Sequence, residues 1–490
     1  MPRTTCSSHP AILLSALLLT LSACASVGPD YHRPELSTPV SWQNAPVVPA
    51  AAAQADPARL ARWWAQLGDP ALDKLIETAL GNSPTMQTAQ ARLREARARR
   101  NLQAVQDAPN VSASTSASRT STRDRTNGNN SDASAHQLSA ALDASWEIDI
   151  FGGQRRALES ANATLAATEA DLNATRVSLA AEVATDYIAL RTDEGRLSVA
   201  RSNLASRQQT LQLTQWRGEA RLVSGLDINQ ARSSVEQTRA TIPALQRSIE
   251  EDKLTLALLL GLQRQDMDAL LPAGSLPSLP DSVAIGIPAD TLRQRPDVAA
   301  AERRLAAQTA QIGVAKAARY PSLKLSGSIG VDALSLAGLL RADTITSSVL
   351  AGLSAPIFDA GRITQNIEIQ SAVQDQTLVA YRNSVNQALN DVEKALNAWV
   401  RSSERLQILQ VAADTAREAA RLASIRFQAG QTDLLTQLDT QRTQLTQEDA
   451  LASARGDRTN ALIQLYKALG GGWEGIQPGT TASATPEQTK

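Results

Sequence analysis

Apolar residues recur every seven positions through long stretches of the chain, which predicts helices that pack against other helices along one stripe. The first stretch has leucine at Leu158, Leu165, Leu172 and Leu179, and then at Leu190, Leu197, Leu204 and Leu211. The second has Leu378, Val385, Val392, Trp399 and Leu406. A helix from about Gln154 to Trp216 would be roughly 90 Å long at ~1.5 Å per residue, so it needs helical neighbours along its whole length.

Four shorter segments alternate apolar and polar side chains, which is the period of a β-strand. They cover residues 138–150, 322–331 and 349–357 and, more weakly, 111–119. Each has about the ~9–11 residues of a membrane-spanning strand, although alternation alone also fits the half-buried strands of a soluble sheet. If the strands cross a membrane, four of them cannot close a barrel around water, because unpaired backbone edges are costly in lipid. Three chains would supply twelve strands, enough for an aqueous pore.

The chain carries an internal duplication. Pro84 and Pro296 each open a helical stretch, and Pro109 and Pro321 close the two stretches after the same number of residues. Further pairs keep a nearly constant interval: Phe151-Gly152-Gly153 with Phe358-Asp359-Ala360-Gly361, Glu182-Val183 with Asp391-Val392, and Leu260-Gly261 with Leu469-Gly470. This correspondence predicts two homologous halves, each with a helix, two strands and two very long helices. No proline occurs from residue 110 to 242 or from 357 to 477, which permits such helices.

The N-terminal residues have the form of a bacterial secretion signal. Arg3 precedes the apolar stretch 11–21, which is shorter than the ~20 residues of a membrane-spanning helix. The stretch runs into Leu21-Ser22-Ala23-Cys24, which resembles the lipoprotein lipobox, so we expect cleavage before Cys24 and attachment of lipid to its thiol. A plain signal with a chance cysteine is the alternative. Among bacterial lipoproteins, Ala25 in place of Asp implies sorting to the outer membrane, and with Cys6 removed the mature chain cannot form an internal disulfide.

These patterns predict five regions along the chain. Residues 1–23 form a lipoprotein signal peptide, and the proline-rich residues 24–59 form a lipid-anchored extended tether. Residues 60–275 form the first structural repeat, with a helix, a β-hairpin and a long helical hairpin, and residues 276–474 form the second. Residues 475–490 are polar without periodicity, which predicts a disordered tail.

Composition excludes several classes of function. Aromatic residues are 3% of the chain, which disfavours a thick globular core and suits long helices packed through small side chains. The net charge of −1 gives no footprint for nucleic acid. His9, His32 and His136 do not belong to any cluster with metal-ligand spacing, and no nucleophile elbow or phosphate loop occurs. We therefore expect neither an enzyme nor a cofactor beyond the covalent lipid, and no segment after the signal is apolar enough for a transmembrane helix.

Several ordered motifs resemble those of one family. They are Gly28-Pro29-Asp30-Tyr31, Trp63-Trp64, Gly68-Asp69-Pro70, the stretch from Trp146 to Gly152, Leu292-Arg293-Gln294-Arg295-Pro296-Asp297, Ala301-Glu302-Arg303-Arg304-Leu305, and the stretch from Leu465 to Trp473. With them the chain resembles the outer-membrane efflux proteins, TolC-type channels, and most closely the NodT-type lipoproteins of resistance-nodulation-division (RND) export systems. The resemblance runs from about Cys24 to Trp473. It implies a mainly α-helical homotrimer, in which a transmembrane β-barrel of twelve strands, four from each chain, continues as a long α-helical periplasmic barrel.

The same resemblance implies a gate at the periplasmic helix tips. The second tip matches Arg426-Phe427-Gln428-Ala429-Gly430, and the resemblance assigns Leu435 to an apolar constriction and Asp439 with Arg442 to a polar ring and latch. The alternatives are a heptad core residue at Leu435 and an ordinary i,i+3 ion pair at Asp439 and Arg442. The first tip departs from the pattern, because Arg221 stands where the second tip has Gly430. Since a turn with positive φ suits glycine, we expect the first turn at Gly225 instead.

The resemblance implies an outer-membrane channel of a tripartite export system, a passive duct for drugs or other toxic small molecules. Its expected partners are a periplasmic adaptor protein, an inner-membrane RND-type transporter and outer-membrane lipid, without nucleic acid. The expected location is the outer membrane, with a lipid anchor and an extension into the periplasm. Two alternatives remain: a lipid-anchored periplasmic adaptor, and the outer-membrane component of a type I protein secretion system. An adaptor would carry a single helical hairpin, whereas this sequence predicts two.

Overall fold

The computed structural model describes residues 26–35, 39–44, 57–124, 131–279, 288–335 and 345–473. The expected lipid site Cys24, the signal peptide and the tail therefore lie outside the described residues. The helices, in chain order, are α1 (Pro57–Ala61), α2 (Pro70–Asn82), α3 (Pro84–Val105), α4 (Gly153–Glu219), α5 (Gly225–Leu260), α6 (Arg264–Leu270), α7 (Pro288–Gln294), α8 (Pro296–Ala317), α9 (Arg362–Gln428) and α10 (Leu434–Ala468). The strands are β1 (Asn110–Asp124), β2 (Ser131–Ile148), β3 (Ser322–Ala333) and β4 (Ile345–Ser354).

The two halves repeat the same elements at nearly the same lengths. Helices α4 and α9 both have 67 residues, α5 and α10 have 36 and 35, and α3 and α8 both have 22. The duplication and the very long helices predicted from the sequence are thus confirmed. None of the described helices is both long enough and apolar enough to span a membrane.

The four strands form one antiparallel sheet in the order β1-β2-β3-β4. Its register joins the alternating residues of neighbouring strands into rows. Trp146 pairs with Leu325, which pairs with Ala351, and the next row on the same face joins Ile148, Leu323 and Leu353. The alternate rows, which belong to the other face, are mostly polar or small, for example Asp143, Ser328 and Ser348. The sheet therefore has one continuous apolar face, and most of its large apolar side chains are exposed in the single chain.

Two strands end earlier than predicted, and each of the four strands also includes residues outside its predicted segment. β2 ends at Ile148 rather than residue 150, because the Asp149 carboxylate accepts a hydrogen bond from the Arg155 amide at the start of α4 (2.9 Å). β4 ends at Ser354, so the alternating residues from Ala355 to Ile357 lie beyond the sheet. Both segments alternate in sequence, but in the second Pro356 has no amide hydrogen to donate to a neighbouring strand.

The contacts divide the chain into two units, of which the first comprises residues 1–35, 93–168 and 301–381. It holds the sheet and a docked N-terminal segment. Val27 donates its amide to the Phe151 carbonyl (3.1 Å), and the buried Arg156 donates to the Val27 carbonyl (3.1 Å) and to the Asp30 carboxylate (2.6 Å). Gly28 has φ 106°, and a β-carbon there would collide with Gly313, while one at Gly313 would meet the Arg156 side chain and the Val27 carbonyl. This part of the expected tether therefore packs against the body of the unit.

The second unit comprises residues 36–92, 169–300 and 382–490 and contains a compact aromatic core. The Trp63 ring stacks on Tyr466 (5.3 Å between centroids) and meets Trp64 edge-on (5.7 Å). The turn after α10 closes over this core, because Gly472 donates its amide to the Leu60 carbonyl (3.0 Å). The Trp63-Trp64 and C-terminal glycine motifs are therefore packing features.

Candidate functional site

The turn between α9 and α10, the second tip, is closed by backbone hydrogen bonds. The Gly430 amide donates to the Phe427 carbonyl (3.0 Å) and the Gln431 amide to the Arg426 carbonyl (2.8 Å), the two bonds of a Schellman motif. Gly430 has φ 74°, the left-handed conformation that this motif requires. Asp433 then caps α10 by accepting from the Thr436 amide (2.8 Å).

The turn between α4 and α5, the first tip, uses the same motif without glycine. Arg221 has φ 58°, and its amide donates to the Gly218 carbonyl (2.9 Å) while the Leu222 amide donates to Arg217 (2.8 Å). Gly225 is already the first residue of α5, after the N-cap Ser224. The prediction of a turn at Gly225 is therefore wrong. The Schellman bonds and the capping box at Ser224 hold Arg221 in a conformation that its own preference disfavours.

One arginine joins the two tips within the second unit. The Arg217 guanidinium lies over the Phe427 ring (4.5 Å to the centroid) and donates to the Phe427 and Gln428 carbonyls (2.6 and 3.1 Å). It thereby neutralises the carbonyl end of α9, where a cation is favourable. Phe427, Ala231 and Leu434 form the buried core beneath it. Sequence reasoning missed Arg217, because its partners lie in the other half of the chain.

The expected gate residues share one exposed stripe of α10. Leu435, Asp439 and Arg442 are spaced at i, i+4 and i+7, which places them on the same helix face. Leu435 is 59% exposed, whereas its neighbour Leu434 is buried at 6%. Asp439 accepts a hydrogen bond from Arg442 at 2.6 Å, and both side chains are more than half exposed. Leu435 is thus not a core residue of the single chain, while the i,i+3 ion pair is present.

The side chains at the tips are suited to apolar contacts and ion pairs at a surface. In the described parts of the chain, no group of three His, Cys, Asp or Glu side chains is arranged to hold a metal ion. The stripe combines an apolar side chain with one acid and one base. Such a stripe can form a dry contact and a set of ion pairs when copies meet.

Comparisons with known proteins agree with this architecture. The family model described as outer membrane efflux protein matches residues 75–262 and 287–471. The chain is 35% identical to the pyoverdine export outer membrane protein OpmQ of Pseudomonas putida, covering 95% of this chain and 98% of that one. It is 33% identical to the outer membrane protein OprJ of Pseudomonas aeruginosa, covering 95% and 97%.

Solved structures give the same result. The outer-membrane channel OprN superposes with a TM-score of 0.83 at 35% identity, covering 92% of this chain and 100% of that one. The open state of the MtrE outer membrane channel of Neisseria gonorrhoeae gives a TM-score of 0.79 at 28% identity, covering 92% and 99%. The adaptor alternative is therefore wrong. The chain belongs to the outer membrane efflux protein family and is, with its TolC-like fold, the outer-membrane channel of a tripartite efflux system.

Proposed function

We propose that the channel works as a homotrimer whose second tips form a gate at the periplasmic end. The exposed stripe of α10 carries this proposal. Leu435 is a large apolar side chain that is exposed beside the buried Leu434, on the same helix face as the ion pair of Asp439 and Arg442. Three Leu435 side chains at a common axis would make a dry constriction.

The neighbouring charges fit a latch around that constriction. Three Asp439 carboxylates brought close together repel one another unless a cation lies within reach, and Arg442 supplies that cation at 2.6 Å within each chain. Because both side chains are exposed, salt weakens the pair, and its main role is to set the charge of the ring.

The partners that we propose are a periplasmic adaptor protein and an inner-membrane RND-type transporter. Relatives support this, since one is named a toluene efflux pump outer membrane protein and another a pyoverdine export outer membrane protein. We propose small organic molecules as the cargo of this channel too. In this proposal the channel is a passive duct, and the transporter supplies the energy for transport.

We also propose a lipid on Cys24. Support comes from Val27, three residues further on, which is hydrogen-bonded to Phe151 and Arg156 beyond the end of β2. A lipid on Cys24 would be held close to that end of β2. Labelling with a clickable fatty acid should be lost in Cys24→Ser, and persistent labelling would contradict the lipobox assignment.

Conductance of single channels tests the gate. Leu435→Ala, and separately Asp439→Ala combined with Arg442→Ala, should raise resting conductance in planar bilayers without lowering the yield of trimers. Uptake of antibiotics in cells should rise as well, even when the transporter is deleted, because a leak needs no transport energy.

Leu226→Ala is the matched control. Leu226 occupies the equivalent position in the first tip and is similarly exposed, at 65%. It should leave resting conductance unchanged. If the gate variants also conduct like the wild type, then Leu435, Asp439 and Arg442 do not close the channel.

A further inference from the structure

A layer of polar side chains is buried behind the gate stripe, between α4 and α10. We call Arg207, Thr210, Gln437 and Gln441 the seam. Arg207 is 5% exposed, Gln437 1% and Gln441 3%. The Gln441 amide nitrogen donates to the Ser206 and Thr210 hydroxyls (3.1 and 3.0 Å), and Arg207 donates to the Ser234 carbonyl of α5 (3.1 Å).

Several polar atoms of the seam lack hydrogen-bond partners. The Arg207 Nε, the Gln437 Oε1 and the Gln441 Oε1 are buried and have no hydrogen-bond partner among the described residues. Because these atoms are buried within one chain, a second copy packed against the surface cannot supply the missing partners. A buried donor or acceptor left unpaired disfavours the packed arrangement relative to one in which water reaches it.

Arg207 also differs from the other buried arginines that the structure describes. Arg156, Arg191 and Arg295 each have a carboxylate partner, at 2.6, 2.7 and 2.7 Å. Arg207 has none in the described residues, and the charged neighbour that affects it is Arg442. Burial, and then the charge of Arg442, hold the pKa of Arg207 below its ordinary value. The two cations therefore repel each other while α10 packs against α4.

We propose that Arg207 is a positioning residue of the gate and that the seam is a weakened joint, which lowers the cost of moving the α10 tip away from α4. This inference rests on the proposed gate, because Arg442 belongs to the latch and its charge also acts on Arg207 of the seam. Displacement of α10 separates Arg442 from Arg207 and admits water to the unpaired Gln437 and Gln441 oxygens. The packed state is therefore held less firmly than a fully bonded interface would hold it.

Arg207→Met tests the joint, because it removes the charge and the unpaired donor but keeps a long side chain. In assembled trimers, amide hydrogen exchange at residues 434–442 should slow about tenfold, the scale expected when one unsatisfied buried group is removed. In a Leu435→Ala background, which keeps Arg442, the open probability should fall by a similar factor. Arg207→Lys keeps the charge and should stay close to wild type in both measurements.

Arg201→Met is the matched control, since Arg201 lies on the exposed surface of the same helix and its substitution removes the same charge. It should change neither measurement. The joint is overturned if Arg207→Met exchanges as fast as Arg201→Met or faster, or if it fails to assemble, because a weakening side chain cannot be required for folding. If exchange slows but Leu435→Ala does not leak, the joint stands and the proposed gate is wrong.

Discussion

At the scale of single residues, the two tips show how context decides between identical side chains. Leu434 and Leu435 are neighbours, yet only Leu434 packs against Phe427 and Ala231. Heptad spacing could not show which of the two leucines is buried. The resemblance to the efflux channels assigned the exposed one, Leu435, to the gate. At the first tip the preference of glycine for positive φ pointed to Gly225, but the network of turn and cap bonds placed Arg221 there instead. The hydrogen bonds of the turn and the cap outweighed the conformational preference of the single residue.

Substitutions in the two turns should have opposite effects on the stability of the tips. Arg221→Gly should stabilise the first tip by about 0.5–1 kcal/mol, because a left-handed conformation costs a non-glycine residue ~1–2 kcal/mol and glycine gives part of that gain back as freedom of the unfolded chain. Gly430→Ala should destabilise the second tip by about 1 kcal/mol despite the open space around that position. Hydrogen exchange of the amides in the two turns measures both changes. A loss of protection in Arg221→Gly would show that the arginine side chain contributes more than its backbone conformation costs.

At the scale of elements, the sequence predicted the sheet and the long helices well, and their ends less well. Alternation over residues 138–150 fixed which side chains share a face, and the observed register places Leu325 opposite Trp146 on that face. The alternation could not show where β2 ends. Asp149 fits the alternating pattern, but its carboxylate accepts a hydrogen bond from the backbone of α4. Arg217 was missed for a similar reason, because linear sequence does not show which helix end a cation will reach. Strand and helix interiors follow from periodicity, whereas their ends follow from contacts with other parts of the chain.

The two faces of β3 should differ in their tolerance of a charged substitution. Leu325→Arg places a cation on the apolar face and should prevent assembly in the outer membrane, because such a residue costs ~2–4 kcal/mol near the middle of a bilayer. Ser326→Arg, one residue further on the polar face, should assemble and alter conductance instead. Fractionation of outer membranes and planar-bilayer recordings of the two variants make the comparison. Equal assembly of both would contradict a lipid-facing apolar row.

At the scale of the whole molecule, the single chain leaves the sheet incomplete. β1 and β4 are the outer strands of the sheet order, so each presents one edge without a partner strand in this chain. In lipid such edges are untenable, since backbone groups there find no water to bond. Adjacent strands in the sheet are antiparallel throughout, so an even number of strands lets β1 of one copy pair antiparallel with β4 of the next. A ring of copies closes every edge without changing the pattern within each chain.

Disulfide trapping tests this closure directly. The mature chain expected from the sequence retains only Cys24, which the lipid would occupy, so introduced cysteines have no competing thiol. Ser114→Cys in β1 is combined with either Thr346→Cys or Ser348→Cys in β4. The two combinations test two registers of pairing between β1 of one copy and β4 of the next, because a disulfide forms only when the Cα atoms lie within ~4.4–6.8 Å. One combination should give covalent dimers and trimers on oxidation in outer membranes, seen as ladders on denaturing gels. The single variants should give no ladder containing trimers, because a strand edge pairs with a different edge. If no β1–β4 pair, scanned across neighbouring positions of the same face, gives a trimer while the protein is inserted, the sheet must be closed by some other arrangement of copies.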